Sequence, residues 1–475
     1  MRSVESDLTP SAQEDTLAPP PLSAGPAGDP TLTAPLPITN QRPAWRDTFI
    51  SLRIPNFRRF AISHLVAVIA VWMQRIAQDW MVLELSGSVT AVGITVALQF
   101  APFLLLGPYG GIIADRYPKR ILLIITQSMA ALMAAAMAVL ALTGVVEVWH
   151  VYVIAFTLGL VTVVDAPARQ VFVNDLVGPV HLRNAISLNS SIFQVGAMVG
   201  PAVSGVLITA IGGGWAFAVN AVACLYTVTT LALLRTDQLS VAARAPRSKG
   251  QLREGARYVM RKPAIFWCML MGAFVSVFAM STPVLMAAFA DTVFDSGAQG
   301  YGFLNTALAT GSLVGALAST RRTTLRLRGV LGGAAAFGGF MALGSVAPNQ
   351  AVFAILMFFA GIGCLWFITG ANQLVQISSN LAIRGRVMAL YMMVLIGGQA
   401  IGGPMIGWLA ENIGAHTTVL IAGGVPLLAA GVFAVVLAQK GQLTLRFRYT
   451  VSPSQRRRLV AIVPKSPDAR SHAAV

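Results

Sequence analysis

Long apolar runs separated by short charged turns restrict this chain to folds that cross a membrane. The clearest pair of runs, 89–114 and 121–143, flanks a turn at 107–120 that holds four charged residues. Each run is long enough to cross a bilayer, since about 20 apolar residues span the hydrocarbon core as a helix. Only 11% of the 475 residues are charged, whereas soluble proteins have about 25%. The chain is therefore predicted to be an all-α integral membrane protein.

Twelve runs of this kind occur, and each is predicted to form one transmembrane helix. They lie near 60–83, 89–114, 121–143, 148–168, 184–211, 215–235, 264–290, 299–319, 329–347, 350–371, 387–410 and 416–438. Lys and Arg collect in the tails and in every second link, and Arg75 is the single exception among the 34. Because short cytoplasmic loops are rich in Lys and Arg, these links and both termini are predicted to be cytoplasmic. The expected location is the inner (cytoplasmic) membrane, as a multi-pass protein in the lipid bilayer.

Polar segments divide the chain into two six-helix halves. Residues 1–43 hold nine of the 25 prolines, and we predict a disordered cytoplasmic tail, because such a segment buries too little apolar surface to fold. The predicted domains that follow are an N-terminal half at 44–235, a cytoplasmic linker at 236–262, a C-terminal half at 263–440 and a basic cytoplasmic tail at 441–475.

The linker carries an amphipathic pattern. Leu252, Ala256 and Val259 fall on one face of a helix among three arginines. This pattern is typical of a short helix lying on the inner leaflet of the membrane. A solvated linker without such a helix is the alternative.

The two halves read as copies of each other at an offset of 203 residues. This offset places Gly200-Pro201 on Gly403-Pro404 and Arg183 on Arg386. Several coincidences at one offset indicate a parallel repeat, in which two pseudo-symmetric halves are related by an axis along the membrane normal.

Several classes of function find no support in the sequence. The net charge of +16 follows the positive-inside pattern, so no nucleic-acid partner is expected. Cys224, Cys268 and Cys364 lie in apolar runs and are predicted to be packing residues without a metal. The chain has no Walker-type loop, no Gly-x-Ser-x-Gly and no His-Glu-x-x-His, so neither an enzyme nor a cofactor is expected.

The charged turn carries a recognisable motif. Gly111, Asp115, Arg116, Lys119 and Arg120 resemble the Gly-x-x-x-Asp-Arg-x-Gly-Arg-Arg loop between helices 2 and 3 of the major facilitator superfamily. A proline stands at the position of the second glycine. The resemblance implies a twelve-helix transporter of two pseudo-symmetric halves.

The first predicted helix holds an acid and a base at membrane depth. Arg75 and Asp79 are four residues apart, so they lie on the same side of the helix, with Gln74 and Gln78 beside them. A charge in the bilayer is costly, and a pair that faces a cavity is a candidate functional site. A structural ion pair that fixes helix packing is the alternative.

A second acid lies near the cytoplasmic end of the fourth predicted helix, in the segment Asp165-Ala-Pro-Ala-Arg169-Gln170. By resemblance to the superfamily, Asp165 is expected to meet Arg116 or Arg120 in a cytoplasmic gate. Asp115 is expected to face the start of the eleventh helix near Arg386, because a helix N-terminus favours a carboxylate. These contacts would latch the halves while the cavity is open outward, and a purely structural latch explains the same residues.

The fifth predicted helix has small residues at regular spacing, with Gly196, Gly200, Pro201 and Gly205 in sequence. Glycines at this spacing flatten one face, and the proline removes a backbone hydrogen bond and bends the helix. The segment resembles the antiporter motif of drug-exporting facilitators.

More of the chain, over about 44–440, resembles the branch that contains the enterobactin exporter and macrolide efflux proteins. The matching segments are Met73-Gln74, Leu85-x-Gly87-Ser88, Asp165-x-Pro-x-Arg169-Gln170 and Asn184-Ala185-Ile186-x-Leu188-Asn189. That branch often has an Arg just before the Gly-Pro of helix 5, where this chain has Val199.

The resemblance implies a monomeric exporter of amphipathic small molecules, such as drugs or siderophores, that works by alternating access and is driven by protons. Asp79 is the leading candidate for the proton carrier, with Arg75 modulating it, and Asp165 is the second. The expected substrate cavity is lined by Gln74, Gln78, Gln170, Trp366 and Asn372. An importer or lipid flippase, or a non-transporting membrane sensor or secretion accessory, remains the alternative.

The alternation of basic and non-basic links predicts where fused reporters are active. A reporter placed after Lys440, or within 236–262, is expected to be active only in its cytoplasmic form, because both positions follow an even number of helices. Paired phosphatase and fluorescent-protein fusions measure this. Periplasmic activity at either position contradicts the twelve-helix topology.

Overall fold

A computed structural model describes residues 45–235, 251–319, 327–380, 383–439, 444–446 and 461–463. The side chains of 45–48, 108, 115, 179, 183, 251–253 and both short terminal segments lie outside the described part. The chain divides into a short unit, Met1–Asp47, and a long unit, Thr48–Val475, which holds all the membrane helices.

Twelve helical segments are long and apolar enough to cross a membrane, which confirms the predicted number. Spans 1 to 12 are Pro55–Ser86, Val89–Gly107, Lys119–Leu142, Val148–Gly178, Val180–Ile211, Gly214–Ala232, Pro263–Val293, Gly297–Ser319, Leu327–Val346, Gln350–Ser378, Arg384–Ile413 and Ala415–Gln439. The helix of span 2 continues to Arg116. The protein is thus an all-α membrane bundle.

Five spans are irregular. Spans 4 and 5 form one helix, Val148–Ile211, that is interrupted at Gly178, where φ is 65°. Span 7 consists of α-helices Pro263–Phe274 and Thr282–Ala288, each followed by a π-helical turn, Val275–Ala279 and Phe289–Val293. Span 9 is the α-helix Leu327–Leu343 with a 3-10 turn, Gly344–Val346, and span 11 consists of Arg384–Gly397 and Gln399–Ile413.

Outside the spans, the described part has a 3-10 helix, Trp45–Arg53, and an α-helix, Gln251–Arg261, which we name the link helix. Two short strands, β1 (Thr444–Arg446) and β2 (Ala461–Val463), pair antiparallel in the C-terminal tail. The spans alternate in direction, so the bundle has two ends. We name them the Ser88 end, where span 1 turns into span 2, and the Arg120 end, where span 2 turns into span 3.

Tight turns connect the spans at the Ser88 end. Five glycines with positive φ, a conformation that L side chains rarely adopt, lie in these turns: Gly87, Gly144, Gly212, Gly297 and Gly414. Ser88 caps the helix of span 2 by accepting a hydrogen bond from the backbone N–H of Ala91, a typical N-cap.

The two halves touch at the Ser88 end through backbone-to-backbone packing. A Cβ atom placed on Gly93 of span 2 would lie 2.3 Å from the carbonyl oxygen of Gly403 in span 11. A Cβ on Gly302 of span 8 would lie 2.6 Å from the carbonyl oxygen of Pro201 in span 5. Each Gly-Pro helix therefore packs on a helix of the opposite half, and the small residues permit that approach.

The link helix lies within the predicted linker and packs in part on the C-terminal half, and its place on the inner leaflet stays a prediction. Its Val259 is buried, and the Tyr258 hydroxyl accepts a hydrogen bond of 3.2 Å from the backbone N–H of Asn380, after span 10. Glu254 forms an ion pair with Arg386 at the start of span 11. Val259 is thus covered by the protein, whereas Ala256 of the same predicted face is exposed.

The adjacent glycines of the signature turn provide a matched test of this packing. A Cβ on Gly110 would lie 1.9 Å from the carbonyl oxygen of Val163 in span 4, whereas one on Gly111 meets nothing within 4 Å. Gly110→Ala is expected to lower the free energy of unfolding by about 1–3 kcal/mol through overpacking. Gly111→Ala is expected to be neutral or slightly stabilising, because Ala favours helix. Thermal unfolding in detergent measures both, and equal stability of the two variants contradicts the close approach of spans 2 and 4.

Candidate functional site

Asp79 is a buried acid that joins the two halves. It lies in span 1 with 1% of its surface exposed. Its Oδ2 accepts a hydrogen bond of 3.0 Å from the hydroxyl of Tyr301 in span 8, and Tyr301 is 0% exposed. Its Oδ1 is buried without a hydrogen-bond partner in the described part of the chain. Asp79 therefore has one oxygen held across the interface between the halves and one oxygen free to take a proton.

Arg75 does not form the predicted ion pair with Asp79. Among the described residues, no nitrogen of Arg75 lies within 4.0 Å of an oxygen of Asp79. The guanidinium instead lies over the rings of Trp72 and Phe100, 5.3 and 4.8 Å from their centroids. Desolvated cation–π contacts of this kind are favourable. The four-residue spacing places both residues on one side of the helix, but the long Arg side chain extends towards these rings of spans 1 and 2.

The two glutamines beside Asp79 are also buried. Gln74 accepts a hydrogen bond of 2.6 Å from the side-chain amide of Asn220 in span 6. The Nε2 of Gln78 is buried without a partner among the described residues. The amide of Gln78 and the Oδ1 of Asp79 thus leave two unused polar groups at neighbouring positions of span 1.

The other predicted cavity residues lie on spans 4 and 10, and their side chains are more exposed to solvent than those of Gln74 and Gln78. Gln170 is exposed, whereas Trp366 and Asn372 are half-buried. Asn372 accepts a hydrogen bond of 2.6 Å from Gln376, one turn further along span 10. The five predicted cavity residues therefore form a buried group on span 1 and an accessible group towards the Arg120 end.

Asp165 is the most fully hydrogen-bonded acid among the described residues of the N-terminal half. Arg169 forms an ion pair with it, with 2.9 Å between Nη2 and Oδ2. Thr126 and Gln127 of span 3 donate hydrogen bonds of 2.7 and 3.0 Å to its Oδ1. Arg169 also contacts Nδ1 of the buried His64 in span 1 at 3.1 Å. This cluster ties spans 1, 3 and 4 together.

In this structure Asp165 and Arg120 have other partners than each other, so their contact in the outward-open state stays a prediction. Asp165 is neutralised by Arg169, one helical turn away. Arg120 donates hydrogen bonds of 2.7 and 2.6 Å to the carbonyl oxygens of Leu231 and Ala232, the last residues of span 6. These carbonyls lack helical partners and attract a cation through the helix dipole.

The remaining residues of the predicted gate are placed as follows. Arg116 lies over the ring of Tyr117, 5.7 Å from its centroid, and is exposed. The side chain of Asp115 lies outside the described residues. Arg386, its expected neighbour, is paired with Glu254 of the link helix. The gate itself stays a prediction.

The glycines of the fifth helix are packing positions. A Cβ on Gly196 or Gly200 would lie 2.4 or 2.5 Å from a side-chain atom of Val68 or Trp72 in span 1. A Cβ on Gly205 would lie 3.2 Å from the backbone of Ala298 in span 8. The helix is continuous through Pro201. This motif therefore brings span 5 against span 1 and against the opposite half.

A polar contact between the halves, missed in the sequence, lies at the rim of the Ser88 end. Glu411 of span 11 accepts hydrogen bonds from the hydroxyls of Ser88 and Thr90, at 2.6 and 2.5 Å, and from the Thr90 backbone N–H at 2.9 Å. Tyr301 and His64 were also missed. A lone Tyr or His in an apolar run gives no signal that distinguishes a polar contact from packing.

Comparisons with known proteins agree with this architecture. A family profile described as "Transmembrane secretion effector" matches residues 46–444. The enterobactin exporters EntS of Escherichia coli and Escherichia fergusonii are each 24% identical to this chain over 414 residues. The alignment covers 83% of this chain and 94% of each relative.

Solved structures of transporters are similar in fold. The nucleoside transporter NupG matches with a TM-score of 0.62 and 14% identity, covering 80% of this chain and 99% of its own. A POT family transporter in complex with 5-aminolevulinic acid matches with a TM-score of 0.67 and 12% identity, covering 81% and 96%. At these identities the likeness concerns the fold alone.

The pair of Asp165 and Arg169 yields a double-mutant prediction. Asp165→Asn is expected to cost about 3 kcal/mol of stability, because it leaves a mostly buried guanidinium without its counter-charge. The double variant Asp165→Asn with Arg169→Gln is expected to be more stable than Asp165→Asn alone. Thermal unfolding in detergent measures both.

Asp175 provides the matched control, because it lies in the same span and its buried Oδ1 has no partner in the described part. Asp175→Asn is expected to leave stability unchanged or to raise it slightly, because a buried carboxylate oxygen without a partner disfavours the ion. Losses that add up in the double variant would show that Asp165 and Arg169 are not energetically coupled.

Proposed function

The chain belongs to the transmembrane secretion effector family of the major facilitator superfamily, and we propose that it exports an amphipathic small molecule in exchange for protons. The coarser assignment is plain: this is a multi-pass membrane protein and a secondary transporter, and the family is not a class of enzymes. Direction, coupling ion and substrate class are the proposed parts.

Export is supported by the relatives and by the interface between the halves. The relatives that align over most of the chain are named as exporters. The glycine face of span 5, with Gly200 and Gly205, packs against span 1 and span 8, where tight closure limits leakage between the two sides. We propose that the Arg120 end faces the cytoplasm, because the basic turns lie there.

Substrate enters from the Arg120 end in this proposal. The accessible polar side chains of spans 4 and 10, Gln170, Trp366 and Asn372, contact it on entry, and the buried group around Gln74 and Gln78 closes the far side. Among the described residues, the tight backbone-to-backbone contacts between the halves lie at the Ser88 end, through spans 2 and 11 and spans 5 and 8. In this proposal the arrangement is the substrate-loading state.

The main support for the proposal is the incomplete hydrogen bonding of Asp79, the proposed proton carrier. A buried carboxylate without full hydrogen bonding is unstable as an ion, and its Oδ1 has no partner in the described part. Its Oδ2 is held by Tyr301 of the opposite half, so any movement of the halves changes its surroundings. A change of surroundings between the two states is what a proton carrier requires.

Asp165 is the weaker candidate for that role. Its two oxygens accept hydrogen bonds from Thr126, Gln127 and Arg169, all within the N-terminal half. These contacts satisfy the ion and need not change when the halves move. We assign it to holding spans 3 and 4 together behind the cavity.

The signature turn is proposed to act in the opposite state. When the Ser88 end opens, the Arg120 ends of the halves approach each other. Asp115 and Arg116 then meet span 11, and Arg120 and Asp165 keep the turn and span 4 in place. This latch alternates with the contacts at the Ser88 end.

Replacement of Asp79 tests the function. Asp79→Asn is expected to abolish export against a gradient while leaving downhill exchange of substrate measurable, because the amide takes up no proton. The assay uses proteoliposomes with an imposed pH gradient and a dye substrate that cells expressing the protein exclude. Glu84→Gln is the control, since Glu84 is an exposed acid five residues further along span 1. Glutamine keeps an oxygen that can accept the hydrogen bond from the Trp80 indole, so export should stay intact. Uphill export by Asp79→Asn at the native rate would exclude Asp79 as the carrier.

A further inference from the structure

The contact between Tyr301 and Asp79 has an energetic consequence that depends on the charge of Asp79. An O–H···O⁻ hydrogen bond is roughly twice as strong as one between neutral groups. The Tyr301 hydroxyl donates to Oδ2 over 3.0 Å, and both side chains are excluded from solvent. The attraction between the halves at this point is therefore strongest when Asp79 is ionised.

Contacts from both halves hold the Tyr301 hydroxyl next to Asp79. Its ring stacks on Trp80 of span 1, with 6.0 Å between centroids and 28° between planes. Asn305, one turn further along span 8, donates a hydrogen bond to the Tyr301 carbonyl. The hydroxyl is thus held at Asp79 by packing from both halves, and rotation of either half separates the two groups.

We propose that Tyr301 is the positioning residue that couples proton binding at Asp79 to opening of the Ser88 end. The proposal rests on the function assigned above and deepens it. With Asp79 ionised, the hydrogen bond keeps the substrate-free carrier closed at the Ser88 end. With Asp79 protonated, the bond loses its charge-assisted strength and the halves separate more easily. A carrier that holds neither substrate nor proton therefore stays closed at the Ser88 end. Protons and substrate then cross the membrane only in exchange for one another.

The charged groups around this contact are few. Arg75 on span 1 and Tyr301 on span 8 are the titratable groups whose interactions reach Asp79. At the rim, Glu411 holds Ser88 and Thr90 across the same interface, and an ordinary Glu is ionised above about pH 5. Arg75 keeps its charge throughout that range. His150 and His416 also lie at the Ser88 end, and histidines change charge near neutral pH. The change in closure between about pH 5 and about pH 9 is therefore assigned to Asp79 only to the extent that Asp79→Asn abolishes it.

The experiment measures closure directly in nanodiscs. Spin labels on Val145→Cys and Val346→Cys report the distance between the halves at the Ser88 end, because both positions are exposed in turns of that end. The three native cysteines are buried and do not interfere. In the otherwise native protein, the ratio of closed to open forms is expected to rise roughly tenfold from about pH 5 to about pH 9, the size expected when a hydrogen bond gains charge assistance.

Tyr301→Phe keeps the stacked ring and removes only the hydroxyl. It is expected to lower the ratio of closed to open forms less at low pH than at high pH, so that the rise from about pH 5 to about pH 9 is less than about threefold. Thr90→Val is the matched control, because it removes one hydrogen bond to Glu411 across the same interface without touching Asp79. It is expected to lower closure equally at every pH. A native pH response in Tyr301→Phe overturns the inference.

Asp79→Asn in the same assay separates failure of this inference from failure of the proposed function. If Asp79→Asn loses the pH response and Tyr301→Phe keeps it, Asp79 is the proton carrier and Tyr301 is not its coupling residue. If Asp79→Asn keeps the response, Asp79 is not the titrating group and the proposed function fails with the inference. Loss of the response in both variants, with retention in Thr90→Val, supports both.

Discussion

Backbone-to-backbone packing at the Ser88 end is the constraint on which the candidate site depends. Gly93 lies against Gly403, and Gly302 lies against Pro201, so the four helices involved approach more closely than side chains would allow. Such an approach removes solvent from the polar groups of span 1 behind it. Asp79 is buried because this end is closed. Because Asp79 is buried, its one hydrogen bond, from Tyr301, contributes strongly to the attraction between the halves.

The bilayer makes the hydrogen bonding of each buried acid informative. Where no water competes, a carboxylate is stable as an ion only when protein groups satisfy it. Asp165 receives donors from two residues of span 3 and from Arg169 of span 4. Asp79 receives one donor and keeps an oxygen without a partner in the described part. This difference in hydrogen bonding is the reason why we propose Asp79, and not Asp165, as the acid that changes its proton occupancy.

Hydropathy and the positions of Lys and Arg predicted the twelve spans, because a bilayer imposes a length and a polarity that are visible in any single run. The partners of charged residues were not predictable in the same way. Asp165 and Arg169 are four residues apart and form an ion pair. Asp79 and Arg75 have the same spacing, but Arg75 lies over two aromatic rings instead. The spacing determines the face of the helix and not the direction of a long side chain. Tyr301 lies 222 residues from Asp79, and nothing local to either residue indicates the other.

The internal repeat explains why the site has to be asymmetric. The offset of 203 residues relates Gly200-Pro201 to Gly403-Pro404, and both Gly-Pro segments pack on the opposite half. The same offset places Asp79 on Thr282, so the acid occurs in the N-terminal half only, while its donor Tyr301 comes from the C-terminal half. Two equivalent acids facing each other across the axis would repel when the halves close. An acid in one half and a neutral donor in the other attract, and the strength of that attraction follows the proton on the acid.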